Sequence, residues 1–171
     1  MNTRFVSTLV AFAVLWGCAA EQPQLVTEPG VSLTGYRELE VAPVINDTGQ
    51  TVDSNFIDTF AADLKAALRS KGYDIIDAKP AATDTLVVIC TFLKNSPGGG
   101  VLNPEVSLQT TLLDKRSNKT LGAILTTVEG QSALGGVLFA DPAGWCAGYD
   151  CLLGRVANQI AAEIDRKIKG P

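Results

Sequence analysis

Apolar positions recur along this chain at two periods, and the switches between them mark out its elements. Between Tyr36 and Val44, Leu39 and Val41 alternate with Glu38 and Glu40, the pattern of a half-buried strand. Pro43 suits the end or edge of that strand, since it has no amide hydrogen for a ladder. Asn46 to Gly49 predicts a turn. The period then becomes helical. Phe56, Ile57, Phe60, Ala61, Leu64, Ala67 and Leu68 form one stripe, with Ser54 as the expected N-cap, Asp53 beside it, and Gly72 closing the helix.

A short strand is expected over Tyr73–Asp77, with a loop from Pro80 to Thr83. Leu86 to Leu93 is apolar at successive positions, which predicts a central strand covered on each side. Asn95 to Pro104 is a long turn into a return strand, where Val106, Leu108, Thr110 and Leu112 alternate with their neighbours. Asp114 to Asn118 supplies a hairpin turn into a third strand, Thr120 to Glu129. Gly130 to Asp150 is irregular and glycine-rich. A second amphipathic helix closes the chain. Leu152, Leu153, Val156, Ala157, Ile160, Ala161, Ile164 and Ile168 line its buried face, Asp150 is placed to cap it, and Arg166, Lys167 and Lys169 stand at its negative end. The order strand, helix, strand, three-strand meander, helix predicts an α+β fold: a two-layer sandwich, a mixed sheet of about five strands with two helices on one face.

The first residues follow another logic. Arg4 precedes an apolar run from Phe5 to Trp16, the pattern of a secretory signal peptide, and the run is shorter than the ~20 residues of a membrane span. Leu15-Trp16-Gly17-Cys18 resembles a lipobox, with Trp16 the departure from it. The competing reading is cleavage after Cys18-Ala19-Ala20, leaving no lipid. On the lipobox reading residues 1–17 are a lipoprotein signal peptide, 18–33 a lipid-anchored linker and 34–171 a single domain. Leu25, Val26 and Val31 are the linker residues able to dock on that domain. Ala19 stands where Asp would favour inner-membrane retention, so the expected place is the outer membrane, facing the periplasm.

An oxidising compartment changes the reading of the cysteines. Cys146 and Cys151 are close in Trp-Cys-Ala-Gly-Tyr-Asp-Cys and are expected to form a structural disulfide. Cys90 lies within Leu86–Leu93 and reads as a buried, inert thiol. The net charge of −4 comes without any basic run, so no nucleic-acid partner is expected.

The chain contains no histidine, which removes Ser-His-Asp and Cys-His nucleophiles, His-based zinc sites and the usual general base near neutral pH. Ser96-Pro-Gly-Gly-Gly100 leads into a strand rather than a helix, unlike a phosphate-binding loop. Asp47, Asp53, Asp74, Asp77, Asp141 and Asp150 follow no calcium-loop spacing. No catalytic, cofactor-binding or metal-binding residue is assigned, and the expectation is a protein that is not an enzyme. Leu138, Phe139, Trp145 and Tyr149 form the candidate partner contact. They either present an apolar patch or fold back over an open sheet face.

The lipobox-like Leu15–Cys18, the strand Tyr36–Val44 ending in Ala-Pro-Val, Phe56–Leu68 closing on Lys71-Gly72-Tyr73, and the terminal helix together resemble small Gram-negative outer-membrane lipoproteins of unknown function. They are similar in pattern to the amino-terminal domain of the Tol-system translocation protein, the lipoprotein activator of penicillin-binding proteins and the curli-secretion lipoprotein. That resemblance implies a protein-binding or assembly accessory role in the periplasm, with an envelope protein as partner and the membrane held through lipid on Cys18. Two further classes stay open: an oligomeric export or assembly component, and a small lipid-binding or hydrolytic module.

Overall fold

The computed structural model describes residues 23–27, 29–76, 84–96, 98, 103–130 and 149–170. Seven strands and two helices follow one another as β1 (Gln24–Thr27), β2 (Glu38–Val41), β3 (Ile45–Asn46), α1 (Ser54–Ser70), β4 (Asp74–Ile76), β5 (Thr85–Ser96), β6 (Glu105–Asp114), β7 (Lys119–Glu129) and α2 (Tyr149–Lys169). The strands form one mixed sheet in the order β1-β7-β6-β5-β2-β4, with β3 also pairing β5. β5, β6 and β7 make the antiparallel meander, and β1 adds to it antiparallel to β7. β2 runs parallel to both β4 and β5. The expected α+β sandwich is the fold.

The two helices pack against each other and against the sheet through one core. α1 contributes Phe56, Phe60, Leu64, Ala67 and Leu68, and α2 buries every apolar position of its predicted stripe. From the sheet come Leu86, Val88, Cys90 and Phe92 of β5, with Leu108 and Leu112 of β6 and Ile124 of β7. Phe92 holds the base of α1, its ring 5.3 Å from both Phe56 and Phe60. Each such fully buried large side chain contributes ~1.5–3 kcal/mol of transfer free energy. Cys90 lies among them with its Sγ 3.5 Å from the Thr110 hydroxyl. Burial pushes its thiol up to about 12, and the Thr110 contact lowers it only in part.

α1 is capped one residue ahead of its expected cap. Asp53 is the N-cap, its carboxylate accepting the Asn55 amide at 2.9 Å, and Ser54 is the first helical residue. At the other end Gly72 takes φ +93, and Tyr73 N–H reaches back to Leu68 C=O at 3.3 Å while Gly72 N–H reaches Arg69 C=O at 2.9 Å. This is a complete Schellman closure, and the positive φ is what requires glycine. α2 begins at Tyr149, so Asp150 lies in its first turn.

Two strands go beyond the predicted five. β3 reaches one residue into the expected turn, with Ile45 and Asn46 pairing with Thr91 and Phe92. β1 falls within 18–33. There Leu25 and Leu33 are buried and Val26 is exposed, so the described part of that stretch lies on the domain. The central strand β5 also departs from its expectation of cover on each side. On the face away from the helices burial is lost along its length, from Val87 at 7% exposed to Leu93 at 39%. Both helices serve the opposite face, so among the described residues the second face of β5 is covered only by neighbouring strands and their side chains.

Candidate functional site

Strand register lays out the face of the sheet opposite the helices in rows. One row runs Val26, Ala123, Thr111, Ile89 across β1, β7, β6 and β5. The next runs Gln24, Leu125, Gln109, Thr91 and reaches Ile45 of β3. Period-2 alternation puts these side chains on the face that Leu108, Thr110, Ile124 and Cys90 leave. Val26 is 72% exposed, Leu125 61% and Ile45 49%. No residue in either row is ionisable.

Among the described residues, charge on this face lies at its two ends. At one end Lys115 pairs with Glu40, and Glu38 accepts from Thr85 Oγ1 at 3.4 Å. At the other Lys94 pairs with Glu105 at 2.6 Å, beside the Ser107–Thr127 hydroxyl pair at 2.5 Å. The result is an uncharged centre of short polar and aliphatic groups with charged margins.

A second feature is a small open hollow of about 320 Å³ lined by Ser32, Thr34, Gly35, Tyr36 and Asp84. Tyr36 donates to Asp114, which also accepts the amide and hydroxyl of Ser117. These bonds hold the Asp114 carboxyl below its ordinary range, while burial and the adjacent carboxylate push the Tyr36 phenol up. A phenol kept protonated against a satisfied carboxylate is a structural tie, with neither group poised as nucleophile or base. Among the described residues no group of three His, Cys, Asp or Glu converges as a metal site, and no helix is long and apolar enough to cross a membrane.

Of the residues that sequence pattern points to, Cys18, Leu138, Phe139, Trp145 and Cys146 lie outside the described residues, as does the side chain of Tyr149. Cys151 stands exposed on the first turn of α2; of the described cysteines Cys90 is a free thiol and Cys151 is not. Val26, Leu125 and Ile45 belong to no sequence motif. Leu125 does carry a signal, as the apolar residue out of phase with Ile124 and Val128, whereas Val26 sits in a stretch whose pairing depends on a distant strand.

No family model matches the chain, and no curated protein does. Solved structures do. The PelC dodecamer from Paraburkholderia phytofirmans, in a single-substitution variant, is 14% identical over 86% of this chain and 98% of its own, with a TM-score of 0.59. The chain shares that fold. A hypothetical protein from Chlamydia trachomatis is 16% identical over 77% of this chain and 97% of its own, at TM-score 0.54. A Xanthomonas campestris protein assigned to the DUF330 family model is 12% identical over 83% and 88%, at 0.51. At these identities the likeness is one of fold. The broad resemblance to small bacterial proteins of unknown role agrees with it, while the finer resemblance to the Tol, penicillin-binding-protein and curli components rests on sequence pattern alone.

Proposed function

We propose that this chain is a non-enzymatic lipoprotein of the bacterial envelope, held at the outer membrane by lipid on Cys18, that works by binding another protein on the open face of its sheet. The observation that carries the binding role is the uncharged centre of that face, with Val26 and Leu125 exposed at its middle rows. Protein interfaces are depleted of charge at their centre and polar at their rim, and this face has that layout. The address rests on the lipobox-like Leu15–Cys18. The Cys146–Cys151 disulfide expected from the sequence belongs to the same reading, with Trp145 as a second candidate contact.

Intact-mass spectrometry of the chain purified from membranes tests the tether: a mass beginning at a triacylated Cys18 supports it, and a lipid-free chain beginning at Glu21 overturns it. Reduction should add two hydrogens for the disulfide. For the binding role, a photo-crosslinking residue replaces Leu125 in intact cells, with Arg155 on the exposed side of α2 as control. An adduct of one defined mass at Leu125 supports the reading; labelling that does not differ from Arg155 sinks it.

A second reading is favoured by one observation. The neighbour of the same fold forms a dodecamer, so the partner on the open face is then another copy of this chain. Adducts at multiples of the chain's own mass select it.

A further inference from the structure

The edge strand β1 is held by three things, and each can be released without leaving a buried group unsatisfied. Its ladder to β7 is four residues long. Leu25 is the one side chain it buries fully, while Gln24 and Val26 face water. At the free edge of the sheet the Leu25 amide donates to Glu163 Oε1 at 2.8 Å, a bond from the first strand to the last helix.

Glu163 is the unusual member. It is a charged residue only 7% exposed, and burial of an unpaired carboxylate is costly. Its charge, however, is answered from its own helix. Arg166 Nε meets Oε2 at 2.9 Å and Nη2 meets Oε1 at 2.7 Å, a forked pair on one turn of α2. When β1 leaves, Glu163 keeps Arg166, and the Leu25 amide passes to water. The latch therefore opens onto a state with no orphaned charge.

The seat of the strand is cut for it at Gly122. A Cβ built there would lie 2.7 Å from the Val26 carbonyl oxygen, 3.1 Å from Leu25 Cδ1 and 3.3 Å from Thr27 Cα. The nearest of those atoms is backbone, so β1 cannot pair in this register beside any other residue. Glycine inside a strand weakens it, and here its use is the close approach of β1. Downstream, Gly30 takes φ +78, and the chain is fixed again at buried Leu33 and at the Tyr36–Asp114 bond. A hinge thus separates a lightly held strand from a firmly held segment.

We propose that β1 is a releasable strap that sets how far the domain reaches from its membrane anchor. The reach, though not the release, rests on the proposed lipid at Cys18. Docked, the strap limits the span between Cys18 and Gln24 to at most about 20 Å; released, the limit runs to Leu33 and rises to about 50 Å. Release also bares the edge of β7 beside Leu125, joining it to the open face.

The test is hydrogen exchange on the full mature chain, comparing wild type with Gly122→Ala and Glu163→Gln. In wild type the amides of β1 are expected to exchange at least tenfold faster than those of Leu108, Leu112 and Ile124. Gly122→Ala is expected to raise exchange over 23–31 by a further tenfold or more, with β6 unchanged. Exchange of Leu25 at the β6 rate overturns the strap, as does a Gly122→Ala effect spread equally over β5 to β7. Should Gly122→Ala fail to fold, Glu163→Gln decides: a rise confined to β1 supports release, and one shared with β6 refutes it. The reach is read separately, as lipid-quencher contact with a dye at position 155 on vesicle-bound protein, expected to fall in the more open variant; unchanged quenching refutes reach-setting. Exchange needs no lipid, so an unlipidated chain would overturn the tether and leave the strap result standing.

Discussion

The phenol of Tyr73 donates to Asp165 at 2.8 Å, tying the exit of α1 to the last turns of α2. Asp165 also meets Lys169 at 2.7 Å one turn on. Tyr73→Phe keeps the buried ring, which is 7% exposed, and removes only the donor. A loss of about 1.5–3 kcal/mol is expected, as for a bond to a charged group. Urea unfolding of the two proteins measures it, and equal midpoints would mean that solvent replaces the phenol at no cost.

Three carboxylates predict the acid limb of stability. At Asp114 the Tyr36 and Ser117 hydrogen bonds lower the pKa. At Glu163 burial raises it but is outweighed by Arg166 and the Leu25 amide, and at Asp165 burial is outweighed by Lys169 and Tyr73. Each folded pKa is depressed, so each group contributes stability that is complete above the unfolded values of ~3.9–4.3 and is lost as pH falls through the folded ones. The urea midpoint should hold between pH 7 and 5 and drop below about pH 4. Glu163→Gln and Asp165→Asn should each flatten that drop. A midpoint that rises on acidification contradicts this.

Gly72→Ala isolates backbone strain. A Cβ there meets nothing within 4 Å, so packing is untouched, and the +93° φ alone is disfavoured. The expected loss is ~1–2 kcal/mol, read as a lower melting temperature with an unchanged circular dichroism spectrum.

Cys90 should be chemically silent in the native chain. Its thiol is fully buried and held up to about 12. Labelling at pH 8 by a thiol reagent is expected to proceed only at the rate of unfolding, appearing promptly in denaturant. Prompt labelling in buffer would place the β5–α1 seam within reach of solvent.

Leu125→Asp separates binding from folding. At 61% exposure the side chain supports little of the core, so stability should change by no more than about 0.5 kcal/mol. Loss of partner adducts reported from a second open-face probe, at Gln109, is the expected outcome. Retained adducts would move the contact elsewhere.

Local pattern determined most of the elements. The stripes of Phe56–Leu68 and Leu152–Ile168 and the alternation through β6 and β7 carry their own period, because each is a segment with one buried face. Gly72 and the Asn118 turn, at φ 54, are likewise written within a few residues. The burial of Cys90 is also legible without coordinates, from the apolar run that surrounds it.

What only the tertiary structure decided lies where a residue's partner is far along the chain. Leu25 becomes a strand residue because Gly122 leaves room and Glu163 accepts its amide, a contact across 138 positions. Val26 and Leu125 share a face through the register of β1 on β7. Burial on the second face of β5 fades because both helices pack on the other side, an arrangement no single strand encodes. Periodicity reports that a face is apolar. Which neighbour covers it, and whether any does, is settled by register and layer packing.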